Sequence, residues 1–567
     1  MIAAPPNAAQ VKQLGAFYTP GRIAEFLVQW AVRSSNDKVL DPSFGGGVFL
    51  RAAAERLLSL GGEPDAGVFG VELDAASHEA ASSALGRVGV SRSNLQHENF
   101  FLALANLPRV HTVVGNPPFV RYQQFSGAMR ESAAALLRRE GVKIPELASS
   151  WAPFLVASAS VLVPGGRLAM VVPMELCHAA YAIPVLAFLA RSFRCVQFVS
   201  FEERIFPDLS QETLLLLAEG RGPHDGEFRW KHLRDLASLD KLGAPDNRSI
   251  RGRRLDTAAI SSGRQRLVEE FLPKRARELY AALRNDPRVR SLGAIADVGI
   301  GYVSGANEFF HLVPGLADEL GIPARFLRPA VCRGRALCGL RFSAEDWKAA
   351  HASGDAAYLL SISHREPLPV QIRQYIQTGE DRGYHNAYKC RVRDPWYVVP
   401  HVHRADAFLT YMSGHSPRLV VNSAAAVAPN TLHVIRMWPL MGVSADRLAV
   451  GWQTSLTELS CELEGHALGG GLLKLEPREA GRVLVALPES DDCRDLCESL
   501  DNVARHAVEG AVRQTADRMI LRDRLGLSDR DCSCLHDAAR TLRARRYRRS
   551  KSEPRTFKRG RASDGEG

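Results

Sequence analysis

The turn that follows residue 115 combines groups that could hold a planar amino group. The apolar run Val113–Gly115 stops at Asn116, which is followed by Pro117, Pro118 and Phe119. Two prolines in succession fix φ and leave carbonyl groups that no β-ladder uses. The Asn116 side-chain oxygen and a free backbone oxygen beside it could then accept from one NH₂ group, while the aromatic ring offers a face for stacking.

The chemistry expected at such a turn is attack by an exocyclic amine of a heterocycle. That amine is a poor nucleophile because its lone pair is delocalised into the ring. Two acceptors on its hydrogens favour the transition state in which the lone pair localises toward an electrophile. No covalent enzyme intermediate is needed, and the chain has no Pro-Cys dipeptide of the kind a cysteine-based cytosine-carbon methylase would use. The structural alternative is a Pro-Pro turn that merely ends a strand.

A second group of residues predicts a nucleotide-like ligand. Asp41 is followed by a glycine-rich turn with Gly45 and Gly47, between a short predicted strand and a helix. Glycines there allow a tight turn and close backbone approach to a ligand, and Glu72, at the end of the next predicted strand, is placed to accept both hydroxyls of a ribose. The spacing is not Gly-x-Gly-x-x-Gly, so it does not indicate a pyrophosphate site. A structural glycine turn and a solvated acid are the alternatives.

The segments that must position these residues alternate along the chain: short apolar runs typical of strands are followed by segments with the apolar spacing of helices. This alternation predicts an α/β domain with a doubly wound, mostly parallel sheet. Strands are predicted at Lys38–Asp41, Val68–Leu73, Leu95–Glu98, Thr112–Gly115, Arg167–Val172, Cys195–Phe201 and Thr213–Ala218. Helices are predicted at Val48–Leu60, Ala75–Leu85, Ser150–Leu162 and Ile183–Phe193, with the turn Val163–Gly166 ending the third.

Length and composition favour a folded protein of several domains. The 567 residues allow about two to four domains at roughly 150 residues each. Hydrophobic residues at 46% and charged residues at 24% are typical of globular proteins. No stretch approaches the ~18 apolar residues of a membrane span, and the first residues lack signal-peptide features, so we expect a cytoplasmic protein with no membrane contact. The ten cysteines form no C-x-x-C pair, which favours reduced structural thiols and no metal site.

The net charge of +10 is concentrated near the C-terminal end of the sequence. Arg540–Arg561 holds eleven basic residues and one acid, Glu553, so this segment alone carries 11 − 1 = +10. A solvated basic tail and a phosphate-contacting arm are both compatible with such a run.

Seven blocks, taken in order, make residues 15–220 resemble the catalytic domain of the adenine-N6 DNA methyltransferases of the gamma arrangement, the Taq-like and Eco57-like modification methylases. The blocks are Gly15–Pro20, Asp41–Leu50, Gly70–Asp74, Glu98–Phe101, Asn116–Phe119, Trp151–Pro173 and Ile205–Pro207.

The resemblance implies an enzyme that uses S-adenosylmethionine. Thr19 and Asp41 would lie near the amino-acid part of this cofactor, Glu72 on its ribose, and Asn99 with Phe100 beside its adenine. The family usually has Asp where Asn99 stands, so the adenine contact could pass to Glu98 or to a backbone group. Thr19 could instead simply start a helix.

The resemblance also implies that a target adenine is extruded from the duplex. Asn116 and Pro117 would hold its amino group, and Phe119 and Phe206 would stack on its two faces. An ordinary core position is the alternative for Phe206.

The likeness extends more thinly into the C-terminal half. Gly301–Phe310, Phe326–Arg335 and Asp394–Tyr397 resemble segments of target-recognition regions. Arg333 and Arg335 could clamp phosphates or read guanine, and Trp396 is a third candidate for DNA contact. Turn and core residues are the alternative. We therefore expect a methyltransferase domain over 1–222, a connecting region over 223–289, a mixed α+β target-recognition domain over 290–539 and a basic, disordered tail over 540–567.

Together these features predict a site-specific methyltransferase acting on N6 of adenine in double-stranded DNA, as the modification enzyme of a restriction-modification system. Because the first block begins near residue 15 and no metal-carboxylate cluster is evident, we expect an enzyme acting alone or beside a separate restriction endonuclease. Methylation of RNA amino groups or of protein glutamine is an alternative, which the long C-terminal half disfavours. A non-catalytic DNA-binding relative is another, and the intact Asp41, Gly45, Gly47, Glu72 and Asn116 argue against it.

Overall fold

A computed structural model describes residues 19–119, 127–145, 148–206, 212–242, 252–363, 367–489, 492–506 and 510–548. The chain divides into two compact units, Met1–Glu270 and Phe271–Gly567. No helix in these ranges is both long enough and apolar enough to cross a lipid bilayer.

Within the described residues, the first unit contains one nine-stranded sheet in the order β3-β2-β1-β4-β5-β7-β6-β8-β9. Its strands are β1 Val39–Asp41, β2 Val68–Glu72, β3 Leu95–His97, β4 Val110–Gly115, β5 Leu162–Pro173, β6 Phe193–Phe201, β7 Thr213–Arg221, β8 Glu227–Leu233 and β9 Arg253–Arg254. Its helices are α1 Gly21–Ala31, α2 Val48–Ser59, α3 Pro64–Gly67, α4 Ala75–Gly86, α5 Phe100–Ala103, α6 Gly127–Arg139, α7 Trp151–Ser160, α8 Glu175–His178, α9 Ala182–Ser192 and α10 Thr257–Ser261.

The predicted doubly wound, mostly parallel sheet is confirmed. Strands β3, β2, β1, β4 and β5 run parallel, and β7 runs antiparallel to both β5 and β6. The chain winds from β1 out to β3 and then returns to pair β4 with β1, so the direction of winding reverses between these two strands. Ligands of open α/β sheets bind beyond the carboxyl ends of the strands at this switch point.

The seven predicted strands are all present, with boundaries that differ by a few residues. Helix α7 ends at Ser160, and the predicted turn Val163–Gly166 lies inside the bounds of β5, where Gly165 has a φ of 79°. The pairing of β4 with β5 shifts register across this turn.

The expected connecting region from 223 is wrong for its first half. Strand β8 pairs in parallel with β6, and β9 pairs with β8, so both extend the sheet. The charged residues that suggested a linker alternate with apolar ones, and the buried Phe228 and Trp230 place one face of β8 in the core.

The second unit has the mixed α+β architecture that was predicted. Its strands are β10 Val289–Ser291, β11 Ala296–Ile300, β12 His311–Leu312, β13 Leu327–Val331, β14 Arg341–Phe342, β15 Ala356–Leu360, β16 Ala407–Thr410, β17 Met412–Ser413, β18 Leu419–Asn422, β19 Leu432–Met437, β20 His466–Ala467, β21 Leu473–Lys474 and β22 Leu484–Ala486. In its described part they form sheets in the orders β10-β22, β11-β19-β16-β18-β14, β12-β15-β13 and β17-β21-β20.

The helices of the second unit surround these small sheets. They are α11 Lys274–Arg284, α12 Leu292–Ile295, α13 Asn307–Phe310, α14 Leu316–Glu319, α15 Ala344–Ala352, α16 Val370–Asp381, α17 Tyr388–Arg391, α18 Ala445–Gly451, α19 Ser455–Glu464, α20 Pro477–Ala480, α21 Arg494–His506, α22 Ala511–Ala516 and α23 Asp529–Arg548.

The expectation of a tail from residue 540 is wrong for 540–548, because α23 continues to Arg548. Arg543 and Arg546 are buried and bind the buried carboxylate of Glu462 on α19, with nitrogen–oxygen distances of 3.3 and 2.8 Å. Arg543 also pairs with Glu458, which accepts from His536 Nδ1 at 2.9 Å. Two arginines of this basic run are therefore buried because acids of another helix neutralise them. Residues 549–567 lie outside the described residues.

Candidate active site

The switch point brings the glycine turn and the Pro-Pro turn together. Asp41 ends β1, and Gly115 ends the neighbouring β4. A β-carbon at Gly115 would lie 2.8 Å from Asp41 Oδ1 and 3.3 Å from Pro42 Cδ. Only glycine therefore lets Asn116 leave β4 so close to the Asp41 carboxylate.

The Asn116 amide is hydrogen-bonded through its nitrogen, whereas its oxygen has no donor among the described residues. Its Nδ2 donates to Thr19 Oγ1 at 3.2 Å. Its Oδ1 is buried, and no residue that the structure describes donates to it. Buried polar oxygens normally have a partner. The structure thus leaves one fixed, desolvated acceptor at the position where an amino group was predicted to bind.

The carbonyl groups of the two prolines have different surroundings. Pro118 O accepts from the hydroxyl of Ser150, which lies just before α7 and is fully buried. Among the described residues none donates to Pro117 O. Its role as a free backbone acceptor beside Asn116 stays a prediction. Ser150 was not predicted as a site residue. The sequence marks it only by its position next to the block that starts at Trp151.

The two rings predicted to stack on the target base lie in the same part of the core. Phe206 is 5% exposed and belongs to the hydrophobic cluster of the first unit, and the half-buried Phe119 packs against that cluster. Their stacking on a base stays a prediction.

Asp41 is a buried acid with one unused oxygen. It is 1% exposed, its Oδ1 accepts from Ser43 N at 3.0 Å, and its Oδ2 has no donor among the described residues. Burial raises the pKa of Asp41 to about 8, against the lowering effect of the Ser43 hydrogen bond, and the negative charge of Glu72 adds to the rise. An ammonium group placed at Oδ2 would remove this penalty.

Glu72 is fixed by two backbone donors. Its Oε2 accepts from Gly45 N and its Oε1 from Asp74 N, both at 2.8 Å. Each carboxylate oxygen keeps a second lone pair, so Glu72 can still accept from two hydroxyls. Gly45 and Gly47 adopt φ values of 48° and 76°, which explains the need for glycine in the turn between β1 and α2.

Asn99 and Phe100 are engaged within the protein. Asn99 caps α5 by accepting from Phe101 N at 3.0 Å, and its Nδ2 donates to Met129 Sδ. The buried Phe100 ring stacks on Phe154 with centroids 5.5 Å apart. A helix cap accounts for asparagine at position 99, and the proposed contact with adenine stays a prediction.

The three candidates for DNA contact lie in the second unit. Arg335 binds Asp355 through its Nε at 2.7 and 2.8 Å, and Arg333 lies 3.9 Å from the same carboxylate. Trp396 donates to Glu380 Oε1 at 2.9 Å, and its ring lies 4.9 Å from Phe309 in a core cluster. Core packing accounts for Trp396, and the DNA roles of all three stay predictions.

At the switch point of the doubly wound sheet, a glycine turn lined by carboxylates follows β1 and an Asn-Pro-Pro-Phe turn follows β4. Two family descriptions match the chain: "N-6 DNA Methylase" over residues 6–179, and "Type II methyltransferase M.Eco57I, C-terminal domain" over residues 264–521. The chain is thus similar to an N-6 DNA methylase over its first part and to the C-terminal domain of M.Eco57I over its second, and the resemblance to the adenine-N6 DNA methyltransferases of the gamma arrangement is confirmed.

Similar proteins carry related names. The chain is 22% identical over 484 residues to the Type II methyltransferase M.AccI of Acinetobacter calcoaceticus, which covers 83% of this chain and 85% of that protein. It is 25% identical over 335 residues to M.PaeR7I of Pseudomonas aeruginosa, covering 52% of this chain and 56% of that one. It therefore spans most of the first relative but about half of the second. A solved DrdV-DNA complex is similar at a TM-score of 0.48 and 11% identity, over 77% of this chain and 50% of that one.

Proposed function

We propose that this chain transfers a methyl group from S-adenosylmethionine to N6 of adenine in duplex DNA, as the modification enzyme of a restriction-modification system. The observation that carries the proposal is the Asn116 amide, with Nδ2 bound to Thr19 and Oδ1 buried without a donor among the described residues. A fixed acceptor of this kind suits a neutral NH₂ donor. The family descriptions and the names of the relatives support DNA as the substrate.

The residues at the switch point fit the cofactor. Asp41 Oδ2 is buried and accepts from no group in the described part of the chain, which suits the ammonium of the amino-acid part. Glu72, fixed by Gly45 and Asp74, can accept from the ribose hydroxyls. When bound, S-adenosylmethionine supplies an electrophilic methyl group on a sulfonium sulfur.

The Pro-Pro turn would act on the acceptor base. An adenine inside a duplex cannot present N6 to this pocket, so the base must be extruded. Asn116 Oδ1 and Pro117 O would each accept one hydrogen of the amino group, which favours localisation of its lone pair as the N–C bond forms. Thr19 and Ser150 hold the turn by bonds to Asn116 and Pro118, so the acceptors need no reorganisation.

The proposal is tested by incubating the full chain with methyl-labelled cofactor and duplex DNA, RNA or protein, followed by nucleoside and amino-acid analysis. We expect label in N6-methyladenine from duplex DNA. Asn116→Ala is expected to lower the transfer rate by about 10²-fold or more while cofactor binding persists. Label only in RNA or in glutamine would refute DNA as the substrate, and normal turnover by a folded Asn116→Ala variant would remove this residue from the mechanism.

A further inference from the structure

Helix α17 presents two unpaired cations around one exposed aromatic ring. The Tyr388 side chain is 64% exposed, and Lys389 Nζ and Arg391 Cζ lie 5.5 and 5.4 Å from the centroid of its ring. Both cationic residues are exposed, and no carboxylate of a described residue pairs with either. We name these three residues the cationic platform. The ring restrains the two cations by cation–π attraction while leaving their charge available.

The platform rests on a fixed support. Cys390, between the two cations, is fully buried and its Sγ lies 3.8 Å from Ser304 O. Arg393 donates to Ser304 O at 2.6 Å and also to Val303 O. A β-carbon at Gly305 would lie 2.9 Å from Lys389 Cβ, so the helix sits close against this loop. One side of α17 is therefore anchored, and the cationic platform is held in one orientation.

The surrounding segment has a strong positive charge. Residues 382–404 contain five Lys or Arg residues and a single acid, Asp394, which gives 5 − 1 = +4. Arg404 is also exposed, with no ion pair to a described residue. Cations that the protein leaves without counter-charges favour a polyanionic partner. A surface that binds another protein usually has an apolar core. Beside the platform, the exposed aliphatic side chain in the described residues is that of Val392, which is too small an area for such a core.

We propose that the cationic platform binds the phosphate backbone of duplex DNA without reading its sequence. The inference rests on the proposed function, since it takes DNA as the substrate, and it adds a contact surface other than Arg333, Arg335 and Trp396. Phosphate contacts fix the register and orientation of a protein on the duplex and supply most of its salt-dependent affinity. The platform would thus hold the duplex while base-reading groups act elsewhere.

The test compares the double variant Lys389→Ala/Arg391→Ala with the wild-type chain in anisotropy titrations of labelled duplexes over a series of KCl concentrations. The slope of log affinity against log salt should become shallower by about 0.9 per phosphate contact, or about 1.8 for two. Affinity should fall equally for a duplex with the methylated sequence and for an unrelated duplex, and the methylated sequence should not change. The matched control Lys348→Ala/Arg436→Ala removes two exposed cations that are paired with Glu345 and Asp297, and should keep the wild-type slope.

An unchanged slope in the folded double variant would overturn the proposal. The titration measures DNA binding and needs no methyl transfer, so its result is independent of the proposed activity. If the wild-type chain bound DNA but did not methylate it, the proposed activity would be refuted, and the titration would still show whether the platform contacts phosphates. Tyr388→Phe keeps the ring and should bind as the wild type, whereas Tyr388→Ala should weaken binding by about 2- to 5-fold. Equal affinity of Tyr388→Ala and the wild type would overturn the role given to the ring.

Discussion

The hydrogen bond between Asn116 Nδ2 and Thr19 Oγ1 predicts that Thr19→Val slows methyl transfer more than it weakens cofactor binding. Valine has nearly the shape of threonine but no acceptor, and Thr19 is 8% exposed, so water cannot readily replace the hydroxyl. The amide donor would lose its partner in a buried position, at a cost of about 1–3 kcal/mol. If that cost raises the barrier to transfer by disturbing the geometry that holds Oδ1, the rate drops by about 5- to 160-fold.

Single-turnover rates at saturating cofactor and calorimetric cofactor affinities separate the two effects. Thr19→Ser keeps the acceptor and should restore most of the rate. The resemblance placed Thr19 at the amino-acid part of the cofactor, which predicts the reverse outcome. Weak cofactor binding with an unchanged single-turnover rate in Thr19→Val would therefore refute the reasoning from the Asn116 hydrogen bond.

Three other predictions concern the cofactor site and the buried arginines. Glu72→Ala should weaken cofactor binding by about 1.5–3 kcal/mol through loss of charge-assisted hydrogen bonds, and unchanged affinity in calorimetry would contradict this. Because the pKa of Asp41 is about 8, the free protein holds it protonated below that pH. Cofactor affinity should therefore rise from pH 6.5 toward pH 8, above which the cofactor ammonium itself begins to lose its proton. A rise that persists in Asp41→Asn would exclude Asp41 as its cause. Arg546→Ala should lower the unfolding free energy of the second unit by about 3–5 kcal/mol, since it leaves Glu462 buried with one partner fewer. Arg540→Ala, at an exposed position, should leave the unfolding temperature nearly unchanged, and similar unfolding temperatures for both variants would contradict the assigned pairing.

The sheet of the first unit was predictable because its central strands are buried on both faces. Val39, Leu40, Val113 and Val114 are all fully buried and give continuous apolar runs. Strand β8 lies near the sheet edge and has one polar face, so its charged residues suggested a linker instead.

The site was predictable only in part. The turns after Asp41 and at Asn116 can be recognised from local residue types, because glycine permits the positive φ of the first turn and proline fixes φ in the second. The bond from Asn116 to Thr19 spans 97 residues and that from Ser150 to Pro118 spans 32, and no local pattern marks either pair. Asn99 poses a different problem. Asparagine serves equally as a helix cap and as a ligand contact, so the residue type alone does not tell which role applies.

The burial of Arg543 and Arg546 against α19 bears on how the protein folds during its synthesis. Arg546 follows Glu462 by 84 residues, so the ribosome must make that whole stretch before the acid can be neutralised. Until then Glu462 can be buried only as an unpaired acid, which strongly disfavours closure of this part of the second unit. We therefore expect α19 to dock late, after α23 has emerged, and fragments that stop before Arg543 to remain open here and to be sensitive to proteases.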